Sequence, residues 1–492
     1  MEFQYQTQPY EHQRQVFEET RDLAACGLFL EMGLGKSKVI LDTAAWQYIH
    51  GGIHALLLIA PKGVYTNWVK TQIPLHLPDV VPHEVFVWDS SKAKNKSFQA
   101  AAKGLFTGEP RLRIVVMNIE ALNSDLAYRY ATALLKRLKV MMVVDESTTI
   151  KNPKAKWTKR AIQLARSAAY KRILTGTPIT NSPLDIYSQF DFLDPDLLGF
   201  KSYYAFRNRY AIVQKEYVNT HSFDKIVGYQ RLDELKERIK RGAVLIRKEE
   251  CLDLPDKIYM DPRRVELSAE QKQLYEHLKV DSYAELRYEG ELKGTVTADM
   301  VLVKLLRLHQ IACGFVTVDP AIDPNPLEID PDGGPRVKEL LTVLEELDGK
   351  TIIWANYTYN IRTIERVLKQ RYGAAAVASF YGATPQDERD DIVDRFQDPL
   401  GDLRFFVGQP RTGGFGLTLT AASNVIYFSS NYSLELRLQS EDRAHRMGQH
   451  KNVTYVDLVA PGTVDEVIVQ ALRNKQNLAD QLVGEGWRKI FE

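Results

Sequence analysis

The chain has 492 residues and a formal net charge of +1, with 45% hydrophobic and 26% charged residues; these are ordinary values for a globular protein with room for roughly two to four domains. So small a net charge excludes a protein that coats polyanions by bulk attraction, and any nucleic-acid site must be a local groove. No long uncharged apolar run marks a membrane span or secretory signal, and Cys26, Cys251 and Cys313 form neither a zinc pattern nor a disulfide framework, so a reducing, cytoplasmic setting is expected.

From Gln8 the segment Gln8-Pro9-Tyr10-Glu11-His12-Gln13 leads into a helix through Val16 and Phe17, and Gln13, with an amide that both donates and accepts, is a candidate reader of an adenine edge. The apolar run Gly27 to Leu30 predicts a short strand. It runs into Glu31-Met32-Gly33-Leu34-Gly35-Lys36-Ser37 and a helix from Lys38 to Ile49. Strand, glycine turn and a helix opening on Lys-Ser is the arrangement that cradles a polyphosphate. Gly33 and Gly35 let backbone N–H groups approach phosphate oxygens, Lys36 reaches the β- and γ-phosphates of ATP, and the Ser37 hydroxyl ligates Mg²⁺. The full phosphate-loop pattern has glycine where this chain has Leu30.

Further along, Ala55 to Ala60 reads as a buried parallel strand ending in Pro61-Lys62, and Val64 to Trp68 begins another helix. Two more buried strands, Ile114 to Met117 and Val140 to Val144, argue for a parallel sheet covered on both faces, with ligands beyond the strand C-termini. The second runs into Asp145-Glu146: Asp145 holds the metal and Glu146 orients and deprotonates an attacking water. Arg172-Ile173-Leu174 is a strand ending in Thr175-Gly176-Thr177-Pro178, which puts two hydroxyls at the same sheet edge.

In order and spacing these blocks resemble the motifs of superfamily 2 helicases and translocases, and Met32 to Lys36, Ile59 to Lys62 with Asn67-Trp68, and Leu174 to Pro178 look most like the Swi/Snf branch, where the missing first glycine is usual. The chain departs from that branch at Ser147-Thr148, in place of an Ala-His or similar pair, which leaves the coupling contact open. The resemblance implies an α/β fold of two RecA-like parallel-sheet lobes with helical insertions between them: lobe 1 over residues 1–190, helical protrusions, brace and linker over 191–334, and lobe 2 with a C-terminal helix over 335–492. The stretch from Ile186 to Gly334 reads as irregular and largely helical.

In the last third, Lys350 to Ala355 and Phe405 to Val407 are strand-like, and Arg411-Thr412-Gly413-Gly414-Phe415-Gly416 is a pliant glycine loop. The string Gln439 to Gln449 is nearly the Swi/Snf version of motif six. Arg443 and Arg446, three apart, are expected on one helix face, where they stabilise charge on a transferring phosphoryl group as arginine fingers. The resemblance implies a DNA-dependent ATPase that binds ATP and Mg²⁺, translocates along double-stranded DNA, branched or protein-bound DNA included, and hydrolyses ATP between its lobes. Thr175, Gly176, Thr177 and Gln439 are the coupling residues, and Lys62, Arg411, Thr412 and Gly413 are candidates for the DNA backbone. A strand-separating or annealing DNA or RNA helicase would share every catalytic residue, and a nucleotide-gated clamp would need a broken set. A strand-separating enzyme also needs a rigid wedge, and Tyr217 to Tyr229 is the one place where a hairpin could hide. Nothing in the residues implies an oligomer or added modules, so a monomer in a prokaryotic or viral-host cytoplasm is the expectation.

Overall fold

A computed structural model describes residues 2–61, 64–218, 221–252, 254–280, 283–288, 291–297, 301–317, 325–413 and 417–483. The chain divides into two compact units, Met1–Leu252 with the chain from Lys475 onward, and Asp253–Asn474.

Among the described residues, the first unit is built on seven strands: β1 (Ala25–Leu30), β2 (Ala55–Ala60), β3 (His83–Val87), β4 (Leu112–Asn118), β5 (Val140–Asp145), β6 (Tyr170–Leu174) and, after a separate ribbon of β7 (Ala211–Val218) and β8 (His221–Tyr229), β9 (Ala243–Ile246). The order across the sheet is β3-β4-β2-β5-β6-β1-β9, parallel throughout. Continuous apolar strands suit such a sheet because alternate side chains enter separate cores on its two faces. Phe29, Leu57 and Ile59 pack in one core and Leu28, Leu30, Leu56 and Leu58 in the other.

The second unit repeats the plan. Its strands are β10 (Lys257–Tyr259), β11 (Arg263–Arg264), the ribbon β12 (Tyr283–Tyr288) and β13 (Glu291–Thr297), the short pair β14 (Phe315–Val316) and β15 (Leu327–Glu328), then β16 (Lys350–Trp354), β17 (Val377–Phe380), β18 (Phe405–Gly408), β19 (Ala422–Tyr427) and β20 (Val453–Val459). The sheet runs β10-β20-β19-β16-β18-β17, with β11 also paired to β20, again parallel. Ile353, Val407 and Ile426 face one core, and Ile352, Trp354, Phe406 and Val425 the other. Two parallel-sheet α/β lobes are therefore the fold. Among the described residues no helix is long and apolar enough to cross a membrane.

The expectation of a largely helical middle needs correction. Residues 191–334 contain β7 to β15, and the stretch is shared: β9 completes the first sheet beside β1, while β10 and β11 join the second beside β20. Short edge strands of three or four residues carry too little period-two signal to be read from sequence. The antiparallel ribbon β7–β8 does show it in retrospect, since Ile212, Val213, Tyr217 and Val218 are β-branched or aromatic residues mixed with polar ones.

Candidate functional site

At the C-terminal edge of the first sheet, β6 lies between β1 and β5, so the three loops that follow these strands start at neighbouring positions about 4.8 Å apart. The turn after β1 takes Gly33 to φ +85° and Gly35 to φ +83°, a conformation that favours glycine. A Cβ on Gly35 would also stand 2.2 Å from Gln13 Nε2. The helix Lys36–Ile49 then opens with its free N–H groups at the turn. Lys36 Nζ donates to the carbonyl oxygens of Leu30 at 2.8 Å and Glu31 at 3.4 Å. It is an ammonium held at the loop's mouth by acceptors that phosphate oxygens can replace.

Gln13 is buried against this loop, and the structure gives its amide internal partners. Nε2 donates to Leu34 O at 3.2 Å and Oε1 accepts from Tyr10 N at 3.1 Å, closing a capping box at the helix Glu11–Thr20. His12 Nε2 lies 3.1 Å from the same carbonyl. Each polar end of Gln13 thus already has one internal partner, which leaves the amide a second N–H and a second lone pair for another group.

Asp145 ends β5 with its carboxylate buried. Oδ2 accepts from the indole N–H of Trp68 at 2.7 Å and Oδ1 from Glu146 N at 3.0 Å. Burial pushes its pKa up, against the pull of the Trp68 N–H, the Lys36 charge and the Glu146 N–H. No ion pair closes on Asp145 among the described residues, although the Lys36 charge acts on it, so a hard oxygen donor is held in a buried place. That donor set, with the Ser37 hydroxyl at the start of the neighbouring helix, fits Mg²⁺. Trp68 was legible as part of a helix and of a motif, without a role; the structure makes it the orienting donor, at the start of a π-helical turn over Trp68–Gln72.

Glu146 follows at φ +48°, left-handed backbone that costs a non-glycine residue about 1–2 kcal/mol. Beside it, Thr175 is fully buried and its Oγ1 accepts from Thr177 N at 3.0 Å. A Cβ on Gly176 would stand 3.2 Å from Met32 N, so this turn packs directly on the phosphate loop. The Thr177 hydroxyl is buried with no partner among the described residues.

In the second unit, Gln439 sits on the helix Leu434–Glu441, which ends two residues before Arg443. The expectation that Arg443 and Arg446 share a helix face is therefore wrong: both lie in the turns that follow. They converge nevertheless, because each guanidinium donates through Nη1 to Leu417 O, both at 3.2 Å. Burial lowers the Arg446 pKa, against the pull of Asp442.

Tertiary contacts replace the helix. Glu441 accepts from Arg437 Nε at 2.7 Å and Tyr259 OH at 2.7 Å. His445 Nε2 meets Pro255 O at 2.6 Å, and Gln449 Nε2 donates to the carbonyls of Thr420, Ala422 and Ala444. Sequence reasoning missed Glu441, His445 and Gln449 as clamps, although all three stand in the motif it recognised.

Of the DNA-backbone candidates, Lys62 lies outside the described residues, as do residues 414–416 of the glycine loop. Arg411 is exposed on the short helix Pro410–Gly413, where Thr412 Oγ1 donates to Gln409 Oε1 at 3.3 Å.

The SNF2-related domain model matches residues 12–315, more than half of the chain, and the helicase conserved C-terminal domain model matches residues 335–448. An uncharacterized ATP-dependent helicase of Mycoplasma genitalium is 27% identical over 456 residues, covering 92% of this chain and 40% of the relative. A putative ATP-dependent helicase/translocase of Bacillus subtilis is 30% identical over 355 residues, covering 70% of this chain and 36% of the relative. The solved Sulfolobus solfataricus SWI2/SNF2 ATPase core in complex with dsDNA is 25% identical, with coverage of 100% of this chain and 97% of that one and a TM-score of 0.42. The chain thus spans 40% or less of the length of these two curated relatives. With the first model matching more than half of the chain, it belongs to the SNF2-related family, and a helicase conserved C-terminal domain follows in the same chain.

Proposed function

We propose that the chain is the ATP-hydrolysing core of a double-stranded DNA translocase or remodeller. The observation that carries this reading is the first sheet's edge, where a glycine phosphate turn, a buried metal-ready carboxylate and a strained Glu follow strands that are neighbours or one strand apart. In this reading the N–H groups around Gly33 and Gly35 receive the phosphates of ATP, and Lys36 exchanges two carbonyl partners for phosphate oxygens. Ser37 and Asp145 would hold Mg²⁺, and the ion would supply charge neutralisation at the phosphate oxygens. Glu146 orients water and takes its proton. Arg443 and Arg446 supply cationic charge that stabilises the negative charge on the transferring phosphoryl group. Thr175, Gly176, Thr177 and Gln439 couple hydrolysis to motion, and Lys62, Arg411, Thr412 and Gly413 follow the DNA backbone without reading bases.

The test is ATP turnover with duplex, single-stranded and branched DNA and with RNA, together with displacement of a third strand from a triplex. Duplex stimulation with triplex displacement is expected; stimulation by RNA or single strands but not by duplex would overturn the translocase reading. A second reading, strand separation, is favoured by one observation, the ribbon β7–β8. It pairs with no other strand among the described residues, and Ile212 and Val227 are exposed along it. ATP-driven unwinding of a forked duplex, lost on shortening that ribbon, would establish this reading in place of the first.

A further inference from the structure

Glu146 holds a left-handed backbone that other residues must enforce. Its N–H donates to Asp145 Oδ1 on one side. On the other side the next residue, Ser147, is fully buried, and its Oγ donates to Gln189 Oε1 at 2.6 Å. Gln189 stands on the helix Ile186–Leu193, is itself fully buried, and donates through Nε2 to Pro178 O at 2.8 Å and Asp185 O at 2.9 Å. Two carbonyl oxygens can only accept, so they fix which end of the amide is nitrogen. Oε1 must then face Ser147, whose proton is committed to it. A second bridge runs alongside: Lys151 Nζ donates to Thr180 Oγ1 at 2.6 Å and Ser188 Oγ to Lys151 O at 3.3 Å.

The Gln189 amide therefore fastens the turn that carries Glu146 to the Thr175–Pro178 turn that packs on the phosphate loop. A buried donor or acceptor that loses its partner is costly, so neither turn can shift alone without breaking this amide's bonds. We infer that Gln189, acting through Ser147, is a positioning residue that holds Glu146 in its strained, hydrolytically competent orientation and makes its position answer to the Thr175–Pro178 turn. This rests on the reading of Glu146 as the base. A group misplaced by about 1 Å can cost on the order of 10²-fold in rate, so the consequence falls on turnover rather than on ATP binding.

The experiment compares Ser147→Ala, Gln189→Leu and their double variant with wild type in the full chain, measuring kcat and KM for ATP, affinity for a non-hydrolysable ATP analogue, and melting temperature. Ser147→Ala is expected to lower kcat roughly tenfold or more, with KM and analogue affinity within about twofold. The double variant should be no slower than Gln189→Leu alone, because both break one chain of bonds. A folded Ser147→Ala with wild-type kcat, or one whose loss lies wholly in KM, overturns the inference, and it decides the matter alone if Gln189→Leu does not fold. Glu146→Gln belongs to the same series. If it stays active the base assignment fails, whereas if it is dead while Ser147→Ala is fully active, the positioning role alone fails.

Discussion

The phosphate edge of the first unit and the arginine turn of the second are held by different means. At the edge, every candidate residue except Gln13 lies at a strand end or in the loop and helix start that follow it, and the sheet order β5-β6-β1 brings the three loops together. In the turn, Arg443 and Arg446 belong to no regular element and are positioned by partners such as Pro255, 190 residues from His445, and Tyr259, 182 residues from Glu441. A strand end carries its loop wherever the sheet puts it; a turn stays in place only while its clamps hold. Sheet order keeps the loops of the first arrangement together and leaves Gln189 to set the orientation of Glu146, whereas the second arrangement should loosen when a clamp is lost.

The largest effect expected is on the arginines themselves. Arg443→Ala and Arg446→Ala should each lower turnover on the order of 10³-fold while leaving ATP affinity nearly unchanged, measured by steady-state hydrolysis and nucleotide titration. Weakened binding with normal turnover at saturating ATP would make them ground-state ligands, and the contrast between the regions would lose its catalytic meaning. In the first unit, Glu146→Gln should lower turnover about 10²-fold or more with nucleotide still bound, whereas Lys36→Ala should weaken nucleotide binding itself.

The contrast is sharpened by clamps that touch no substrate in this reading. Gln449→Ala frees three carbonyls behind the arginine turn and should slow turnover roughly tenfold, less than loss of either arginine. If Gln449→Ala were silent, the turn would be rigid without its clamps.

The smallest effect is on stability and comes from a buried cluster in the second unit. Asp465 accepts from Arg336 Nη2 and from Ala460 N at 3.1 Å, and lies 3.1 Å from His309 Nε2, whose ring meets Tyr357 OH at 2.8 Å through Nδ1. Cys313 completes a group with metal-ligand chemistry, but Arg336 already supplies Asp465 with a cation, so the cluster reads as an ion triad. Burial opposes charge on His309, yet Cys313 and Asp465 outweigh it and push its pKa up to about 10 from 6.5. The folded form thus binds the proton more tightly than the unfolded chain. The stabilisation is complete below pH 6.5 and is lost as pH rises through about 10. Hydrogen-exchange protection of the helix Val301–Ala312, taken relative to the intrinsic rate at each pH, should fall over that window in wild type, and the fall should weaken in His309→Gln.

Much of this was legible early. The strand ends at Leu30, Asp145 and Leu174, the glycine turn and the arginine string could be read because each joins a strong apolar period to a fixed motif within about ten residues. The strands β3, β9, β10 and β17, each five residues or shorter, were not; β6 is as short and was read with the motif at its end, which these four lack. The helix predicted through Arg443 and Arg446 failed for a related reason. Periodicity continues past Glu441 on paper, while Gln449 and His445 draw the backbone into turns.

By itself the sequence determined the two α/β lobes, the family, and which residue types stand at the phosphate edge, because local strand and loop chemistry suffices for those. Only the tertiary structure decided that Gln13 spends its amide on Leu34 and Tyr10, that Trp68 orients Asp145, that the arginines sit beyond their helix, and that Gln189 ties Glu146 to the Thr175–Pro178 turn. Each of these is a directional hydrogen bond or a helix end set by a buried partner, most of them far along the chain. Buried polar groups take whatever partner the packing leaves within reach, and that choice is made after the strands and helices are in place.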